Sequence, residues 1–357
     1  MTAPVVSVVM SVFNGQAFLR EAIESILSQT FHDFEFLVID DGSTDSTAGI
    51  LASYASRDGR MRVVHHENKG RAASLNIGIN IATGGYIARM DADDIALPHR
   101  LQEQLDFMER HAEVGLLGGA AEVINRAGQI LSIYRPPLED SEIRSTLVHH
   151  NVFFHPTVVM RKEVVVASGG YRKALLDADD YDLWLRIAER SQLANLGEPV
   201  LRYRIHPDQV SVRNLRHQVL CVLAARTAAS LRRRGSPDPL SHVEEVTPQL
   251  LDTLGVNMAE IGQALLDNYY YWMDVLGPSE PEAALRVIEG LLQLPGDERF
   301  NRSVLANAWL KAAGIYYRLG RPGKAMVSAG RAVLVRPIVA GRPVKWVFTR
   351  LAAALKG

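Results

Sequence analysis

The sequence is poor in cysteine, in long apolar runs and in any excess of charge. Cys221 is its single cysteine, which rules out an internal disulfide framework and any cysteine-rich zinc site and agrees with a reducing compartment. Within a helical segment such a residue reads as a small buried hydrophobe. No stretch approaches the ~20 consecutive apolar residues of a membrane-spanning helix. The opening residues "MTAPVVSVVMSVFNG" lack the basic region and apolar core of a signal peptide. The expectation is a soluble, cytosolic protein. Lys and Arg total 39 against 40 for Asp and Glu, a formal net charge of -1. No global field draws such a chain onto nucleic acid, so any anion it binds must be gripped locally.

What the chain has is core-forming material: its 357 residues are 47% hydrophobic, enough for two domains. From Val5 to Tyr203 β-rich and helical segments alternate, the signature of an α/β layer fold with a mostly parallel, Rossmann-like sheet flanked by helices. The strands read as "VVSVVMSV", "FEFLVID", "RMRVVHH" and "YIARM". Between them, "AFLREAIESILSQ" sets Phe18, Ala22, Ile23, Ile26 and Leu27 on one face, and "AASLNIGINIA" repeats the pattern less cleanly.

After His206 the alternation stops. "QVSVRNLRHQVLCVLAARTAASLRRRG" predicts a long helix ending at Gly235, followed by the breaker-rich "GSPDPLS". The expected organisation is an α/β domain over 1–212, a long helix and linker over 213–240, and an all-α domain over 241–357. In that last part Trp309, Ala312, Ala313, Tyr316, Gly320, Ala325, Ala329, Ala332 and Pro337 fall at the intervals of a tetratricopeptide helix pair. "PEAALRVIEGLLQLPG" resembles only the second half of such a unit, so the repeat is expected to pack on the other helices or on the catalytic domain.

In open α/β sheets ligands bind beyond the C-terminal ends of the strands, and the polar residues gather there. Ser11 and Asn14 follow the first strand, Asp40 and Asp41 the second, and Asp91 and Asp93 the fourth. A pair such as Asp91-Ala92-Asp93 aims hard oxygen ligands at one point, which suits Mg²⁺ or Mn²⁺ with positions left for phosphate oxygens. The competing explanation makes Asp93 or Asp94 the cap of a following helix, with Pro98 in its first turn. Asp45 or Ser43 suits the cap of "STAGILASYA", which leaves Asp40 and Asp41 able to accept hydrogen bonds from a base or a ribose.

The blocks "SVVMSVFNGQAFLREAIESILSQTFHDFEFLVIDDGSTDST", "NKGRAASLNIGINIATGGYIARMDADD", "GGYRKALLDADDYDLWLRI" and "LRYRIHPDQVS" resemble glycosyltransferase family 2, in the family's order and spacing from Val5 to Val212. The resemblance implies a GT-A type domain that takes a sugar from a nucleotide diphosphate sugar, a UDP-sugar first among them, with inversion at the anomeric carbon. By the same resemblance Ser11 and Asn14 line the nucleotide pocket, and Asp41 contacts the base with Asp40 beside it. Asp91, Ala92 and Asp93 form the D-x-D stretch, with Asp93 the direct ligand of Mn²⁺ or Mg²⁺ and Asp91 and His206 its companions. Arg71 would add a cationic donor to the diphosphate, and a salt bridge explains it equally well.

Asp179-Asp180 stands where the family usually has Glu-Asp, so the resemblance makes Asp180 the base that takes the acceptor's proton and Asp179 the second choice. Such a base needs its pKa raised by burial or by a like charge. Read without the family, both residues are acids at a helix N-terminus. The Gln-x-x-Arg-Trp motif and transmembrane helices of the polymerising members are absent, which implies single sugar addition. The expected acceptors are a glycan, a lipid-linked molecule or a protein, in surface polysaccharide or glycoconjugate assembly, with a protein partner for the helical domain. The segment "RPVKWVFTRLAAALKG" sets apolar against basic residues and suits either peripheral contact with the inner face of an anionic membrane or an ordinary capping helix. Two other readings stand beside the enzyme. One is an inert transferase-like scaffold. The other is a nucleotidyltransferase, for which "SVFNGQAF" lacks the glycine-rich basic loop.

Overall fold

The computed structural model describes residues 3–206, 209, 214–277, 280–294 and 302–336. It forms two compact units: Met1–Ile205 with Ala224–Val246, and His206–Leu223 with Thr247–Gly357. Pro337 and the amphipathic segment after it lie outside the described residues, as does part of the "HPDQVS" block.

The first unit is built on a nine-stranded sheet. Its first four strands, β1 (Val6–Val12), β2 (Phe34–Asp40), β3 (Met61–His65) and β4 (Tyr86–Met90), coincide with the predicted ones to within one or two residues at each end. They pair in parallel in the order β3-β2-β1-β4. Nearly every residue of β1, β2 and β4 is buried, as a parallel sheet covered on both faces requires. The remaining strands are β5 (Ile95–Ala96), β6 (Val114–Ile124), β7 (Ile130–Tyr134), β8 (Val159–Arg161) and β9 (Gln192–Arg204). Here β6 and β9 are parallel, while β4–β8, β6–β8, β5–β9 and β6–β7 are antiparallel. Strands of two and three residues such as β5 and β8 carry no readable period, which is why this mixed half left little trace in the sequence.

The helices of this unit are α1 (Leu19–Leu27), α2 (Thr47–Ala55), α3 (Arg71–Ile81), α4 (Arg100–Arg110), α5 (Asp140–Leu147), α6 (Lys162–Ala167) and α7 (Asp179–Ile187). α1 buries Leu19, Ala22, Ile23 and Ile26, the predicted stripe. Helix α3 lies so close to β1 that a Cβ on Gly78 would meet Val9 Cγ1 at 2.4 Å. Any larger residue there pushes the helix off the sheet. Helix α8 (Leu215–Arg233) is the predicted long helix. It ends as expected at Gly235, whose N–H donates to Arg232 O at 2.9 Å while that of Ser236 reaches Leu231 O at 3.1 Å, a C-terminal closure that favours glycine.

The second unit is helical, with α9 (Pro248–Thr253), α10 (Met258–Leu276), α11 (Pro281–Leu292), α12 (Arg302–Arg318) and α13 (Pro322–Val335). Asn257 caps α10 with a capping box to Glu260. Ala312, Ala313, Ala325, Ala329 and Ala332 are all buried, so small residues line the seam of α12 and α13. Arg331 stacks on Trp309. Among the described residues, no helix is long and apolar enough to cross a membrane.

Candidate active site

Because β2, β1 and β4 are neighbours, their C-terminal ends bring three predicted clusters to one edge of the sheet. Met10 is paired with Val38 on one side and Met90 on the other, so Ser11, Asp40 and Asp91 all lie within two residues of one level.

The loop after β1 is laced to the loop after β2. Asn14 adopts a left-handed φ of 52°, a conformation asparagine tolerates better than most residues. Its Oδ1 accepts from Thr44 N at 2.8 Å, and its own N–H donates to Ser43 Oγ at 2.9 Å. Gly15 N–H reaches Thr47 Oγ1 at 2.9 Å. Asp45 serves the start of α2 by accepting from Thr47 N at 2.9 Å, whereas Ser43 is spent on Asn14.

Asp40 and Asp41 are both buried and both occupied. Asp40 accepts from Ser43 N at 3.1 Å and lies 2.9 Å from His65 Nδ1. Asp41 accepts from Lys69 N at 2.8 Å and Gly70 N at 3.0 Å, with His66 Nδ1 3.6 Å away. It thereby fixes the turn that enters α3 at Arg71.

The end of β4 is different. Asp91, Asp93 and Asp94 offer carboxylate oxygens that all lie within 4.8 Å of one another. Helix α4 begins only at Arg100, with His99 and not an aspartate at its cap and Pro98 ahead of the first turn, so the capping explanation does not apply. Asp94, passed over as a site residue in the sequence, is buried. Its Oδ1 accepts from Arg204 N at 2.7 Å, while its Oδ2 has no hydrogen-bond partner. Burial, and then the charges of Asp93 and Asp91, push its carboxyl well above the usual range. Arg204 also donates through Nε to Asp93 O at 2.8 Å and pairs with Glu21 at 2.8 Å, so one buried arginine shapes the whole acidic turn. Arg89, fully enclosed in β4, pairs with Asp91 and leaves Nε and Nη1 without partners.

At the start of α7, Asp179 and Asp180 occupy the first turn. Asp179 is completely buried and is held by Arg71, whose Nη2 lies 2.5 Å from Oδ1 and whose Nε lies 3.4 Å from Oδ2. Arg71 also donates to Leu176 O at 2.8 Å. Burial works against the charge on Arg71, and Asp179 outweighs it, so the guanidinium stays protonated. Asp180 is partly exposed and accepts from Asn151 Nδ2 at 3.1 Å through Oδ2 and from Tyr181 N at 2.7 Å through Oδ1. Burial, reinforced by the neighbouring Asp179 charge, pushes its carboxyl up to about 6. Behind it lies His155, hydrogen-bonded to Tyr171 at 2.8 Å and packed edge-on to Trp184. Burial, then Arg89 and Arg71, hold this histidine neutral.

His206 belongs to the second unit, where its N–H donates to Gln209 Oε1 at 3.0 Å; its expected part in metal binding rests on the sequence resemblance. Asn151 and Arg89 had drawn no attention in the sequence. A cation inside the buried strand "YIARM" was the signal for Arg89, whereas nothing local marks Asn151.

A parallel sheet whose strand ends gather carboxylates, with a raised-pKa aspartate at a helix start, has the ligand-binding edge of an open α/β fold. The glycosyl transferase family 2 model matches residues 7–168. The chain is 37% identical over 210 residues to an uncharacterized glycosyltransferase of Methanocaldococcus jannaschii, covering 57% of this chain and 72% of that protein. It is 33% identical over 205 residues to the O-antigen biosynthesis glycosyltransferase WbnJ of Escherichia coli, covering 56% of this chain and 80% of WbnJ. The chain belongs to glycosyl transferase family 2 and is a glycosyltransferase. In fold it is similar to S. aureus TarS 1-349 in complex with UDP, with a TM-score of 0.54 at 16% identity over 94% of this chain and 92% of that one. It is likewise similar to the mannosyltransferase PcManGT of Pyrobaculum calidifontis in complex with GDP-Man and Mn²⁺, with a TM-score of 0.51 at 16% identity over 94% and 89%.

Proposed function

We propose that the protein is a metal-dependent, inverting glycosyltransferase that moves one sugar from a nucleotide diphosphate sugar to a hydroxyl acceptor. The observation that carries this reading is the grouping of Asp91, Asp93 and Asp94 within 4.8 Å at the end of β4. The donor set is all hard oxygen, and the unpartnered buried Asp94 Oδ2 is the kind of atom a divalent cation satisfies, so the residues fit Mg²⁺ or Mn²⁺. Such an ion, when bound, neutralises charge on the departing nucleoside diphosphate.

The chain's own residues divide the remaining work. Asp93 and Asp91 would hold the metal, with Ala92 between them, and Ser11, Asn14, Asp40 and Asp41 would frame the nucleotide side. Asp180 takes the proton from the acceptor hydroxyl as that oxygen attacks, since a carboxyl with its pKa at about 6 is ionised yet basic near neutral pH. Asp179 is unsuited to that task, because Arg71 occupies both its oxygens. Arg71 acts through this pair, which engages its Nε and Nη2.

A UDP-sugar donor is supported by the UDP complex of TarS, with GDP-mannose the alternative in PcManGT. WbnJ, named for O-antigen biosynthesis, supports a role in surface polysaccharide assembly. The seam of small residues in α12 and α13 supports a tetratricopeptide-like unit in the helical region, suited to a protein partner or acceptor. The test is thermal stabilisation by UDP, GDP, dTDP and CDP, with and without Mn²⁺, on the wild type and Asp93→Ala. A nucleotide at ~100 times its dissociation constant stabilises by roughly 2.7 kcal/mol, and this gain should require both the metal and Asp93. Stabilisation by no nucleotide under any condition overturns the reading.

A further inference from the structure

The helix that begins with Asp179 and Asp180 is gripped on its buried side by an ion network that the reaction itself does not use. Asp182, one turn into α7 and completely buried, accepts from Arg186 Nε at 2.9 Å and Nη2 at 2.6 Å. Its other oxygen lies 3.5 Å from Arg172 Nη1, a charge contact in which neither atom has a hydrogen-bond partner. Arg172 pairs through Nη2 with Asp238 Oδ2, and the same oxygen lies 3.2 Å from Arg232 Nη1. Arg232 then returns to the end of α7 by pairing with Glu189, 2.7 Å from Nη2. Three guanidinium groups and three carboxylates thus form a closed, electrically balanced chain with α7 as one of its sides. At its enclosed end, Asp182 and Arg186, the loss of a charge partner is costly, while the Arg172, Asp238, Arg232 and Glu189 end is partly open to solvent.

Asp238 is the member that comes from furthest along the chain. It follows α8, far beyond residue 168 where the family model stops matching, and it belongs to the Ala224–Val246 part of the first unit. Its two oxygens have separate duties. Oδ1 accepts from Leu240 N at 3.0 Å and closes the local turn, whereas Oδ2 alone serves Arg172 and Arg232.

We infer that Asp238 is a positioning residue for Asp180, and that Ala224–Val246 is therefore a working part of the catalytic unit and not a spacer; this rests on the reading of Asp180 as the base. Through Arg172 and Asp182 it fixes the register of α7, and so the place of the Asp180 carboxylate against the acceptor hydroxyl. Misplacement of a reacting group by about an ångström is enough to slow a reaction by up to roughly a hundred-fold. The donor side, built on β1, β2 and β4, has no member in this network.

The decisive variant is Asp238→Asn. The amide keeps an oxygen for Leu240 N but turns a donor toward two guanidinium groups, so the network opens while the turn survives. Turnover of UDP-GlcNAc and of GDP-mannose with Mn²⁺, followed as release of UDP or GDP by the full chain, should fall roughly ten- to a hundred-fold in kcat with donor KM unchanged. Asp238→Glu should recover most of it, and Asp58→Asn, which removes an ion pair elsewhere in the unit, should leave kcat alone. Amide exchange across Asp182–Ile187 should speed up in Asp238→Asn, a readout that requires no turnover. Unchanged exchange overturns the inference, as does an unchanged kcat in an enzyme that Asp180→Asn inactivates. Parallel loss of kcat, KM and melting temperature overturns it too, by making Asp238 merely structural. Full activity in Asp180→Asn sinks instead the base assignment on which it stands.

Discussion

Two acidic clusters end neighbouring strands of one sheet and are treated in opposite ways. At the end of β2, Asp40 and Asp41 are buried and supplied with donors by the chain itself: Ser43, Lys69 and Gly70 through their N–H groups, and His65 through its ring. At the end of β4, Asp91, Asp93 and Asp94 crowd within 4.8 Å, one of their oxygens is buried without a partner, and Asp94 resists ionising. The first cluster draws its donors from the chain itself, so its carboxylates are held in place before any nucleotide arrives. The second is arranged for something brought from outside, because like charges held together cost energy until a cation joins them. The same pattern of paired aspartates at a strand end therefore carries two meanings, and hydrogen-bond satisfaction tells them apart.

Asp93→Ala breaks the contrast most sharply. Removing a ligand of the proposed ion forfeits several kcal/mol of charge stabilisation on the leaving group, so transfer should fall by roughly a thousand-fold or more. The loss should fall on metal-dependent nucleotide binding and transfer, while the apo fold also sheds one charge from a crowded acidic cluster. A marked drop in apo melting temperature together with intact transfer would place Asp93 among the structural residues.

Asp180→Asn moves the comparison to the acceptor side. Loss of a general base costs roughly a hundred- to ten-thousand-fold in kcat, with metal-dependent nucleotide binding retained. Retained turnover would assign the base to another group.

Asp41→Ala is the mirror image of Asp93→Ala. It takes the acceptor from the N–H groups of Lys69 and Gly70, a loss of about 1 kcal/mol for each hydrogen bond where water takes over, and it loosens the turn that delivers Arg71 to Asp179. The apo protein should melt several degrees lower. An unchanged melting temperature, with nucleotide binding alone impaired, would erase the distinction between the clusters.

The sequence carried most of this arrangement because buried parallel strands write themselves as apolar runs, and β1 to β4 were legible nearly to the residue. The strand-end aspartates were legible as well, from the rule that such sheets bind ligands at their C-terminal edge. What escaped was long-range company. Arg71 meets Asp179 across 108 residues of chain and Asn151 meets Asp180 across 29, and no local period records such meetings. Asn14 and Ser43, read from the sequence as a pocket residue and a possible cap, also lace their two loops together, since polar residues at a turn satisfy nearby backbone groups, and nothing local announced that pairing.

The smallest effect sharpens the base assignment. With the Asp180 carboxyl raised to about 6, kcat should fall on the acid side with an apparent pKa near that value, because only the ionised form accepts a proton. The same shift runs against stability: between pH about 4 and about 6 the folded protein holds a proton that the unfolded chain has released, so the fold weakens as the pH rises through that window. Asp179→Asn removes the larger of the two like charges that, with burial, raise Asp180 and frees Arg71 to favour its charge, so the acid limb should move to lower pH by about one unit, the size of a single near-neighbour charge effect. A limb that stays where it is, measured from kcat against pH in both proteins, would mean that burial and Asp91 set Asp180 and that the Arg71–Asp179 pair is a strut for α7 and no part of the tuning.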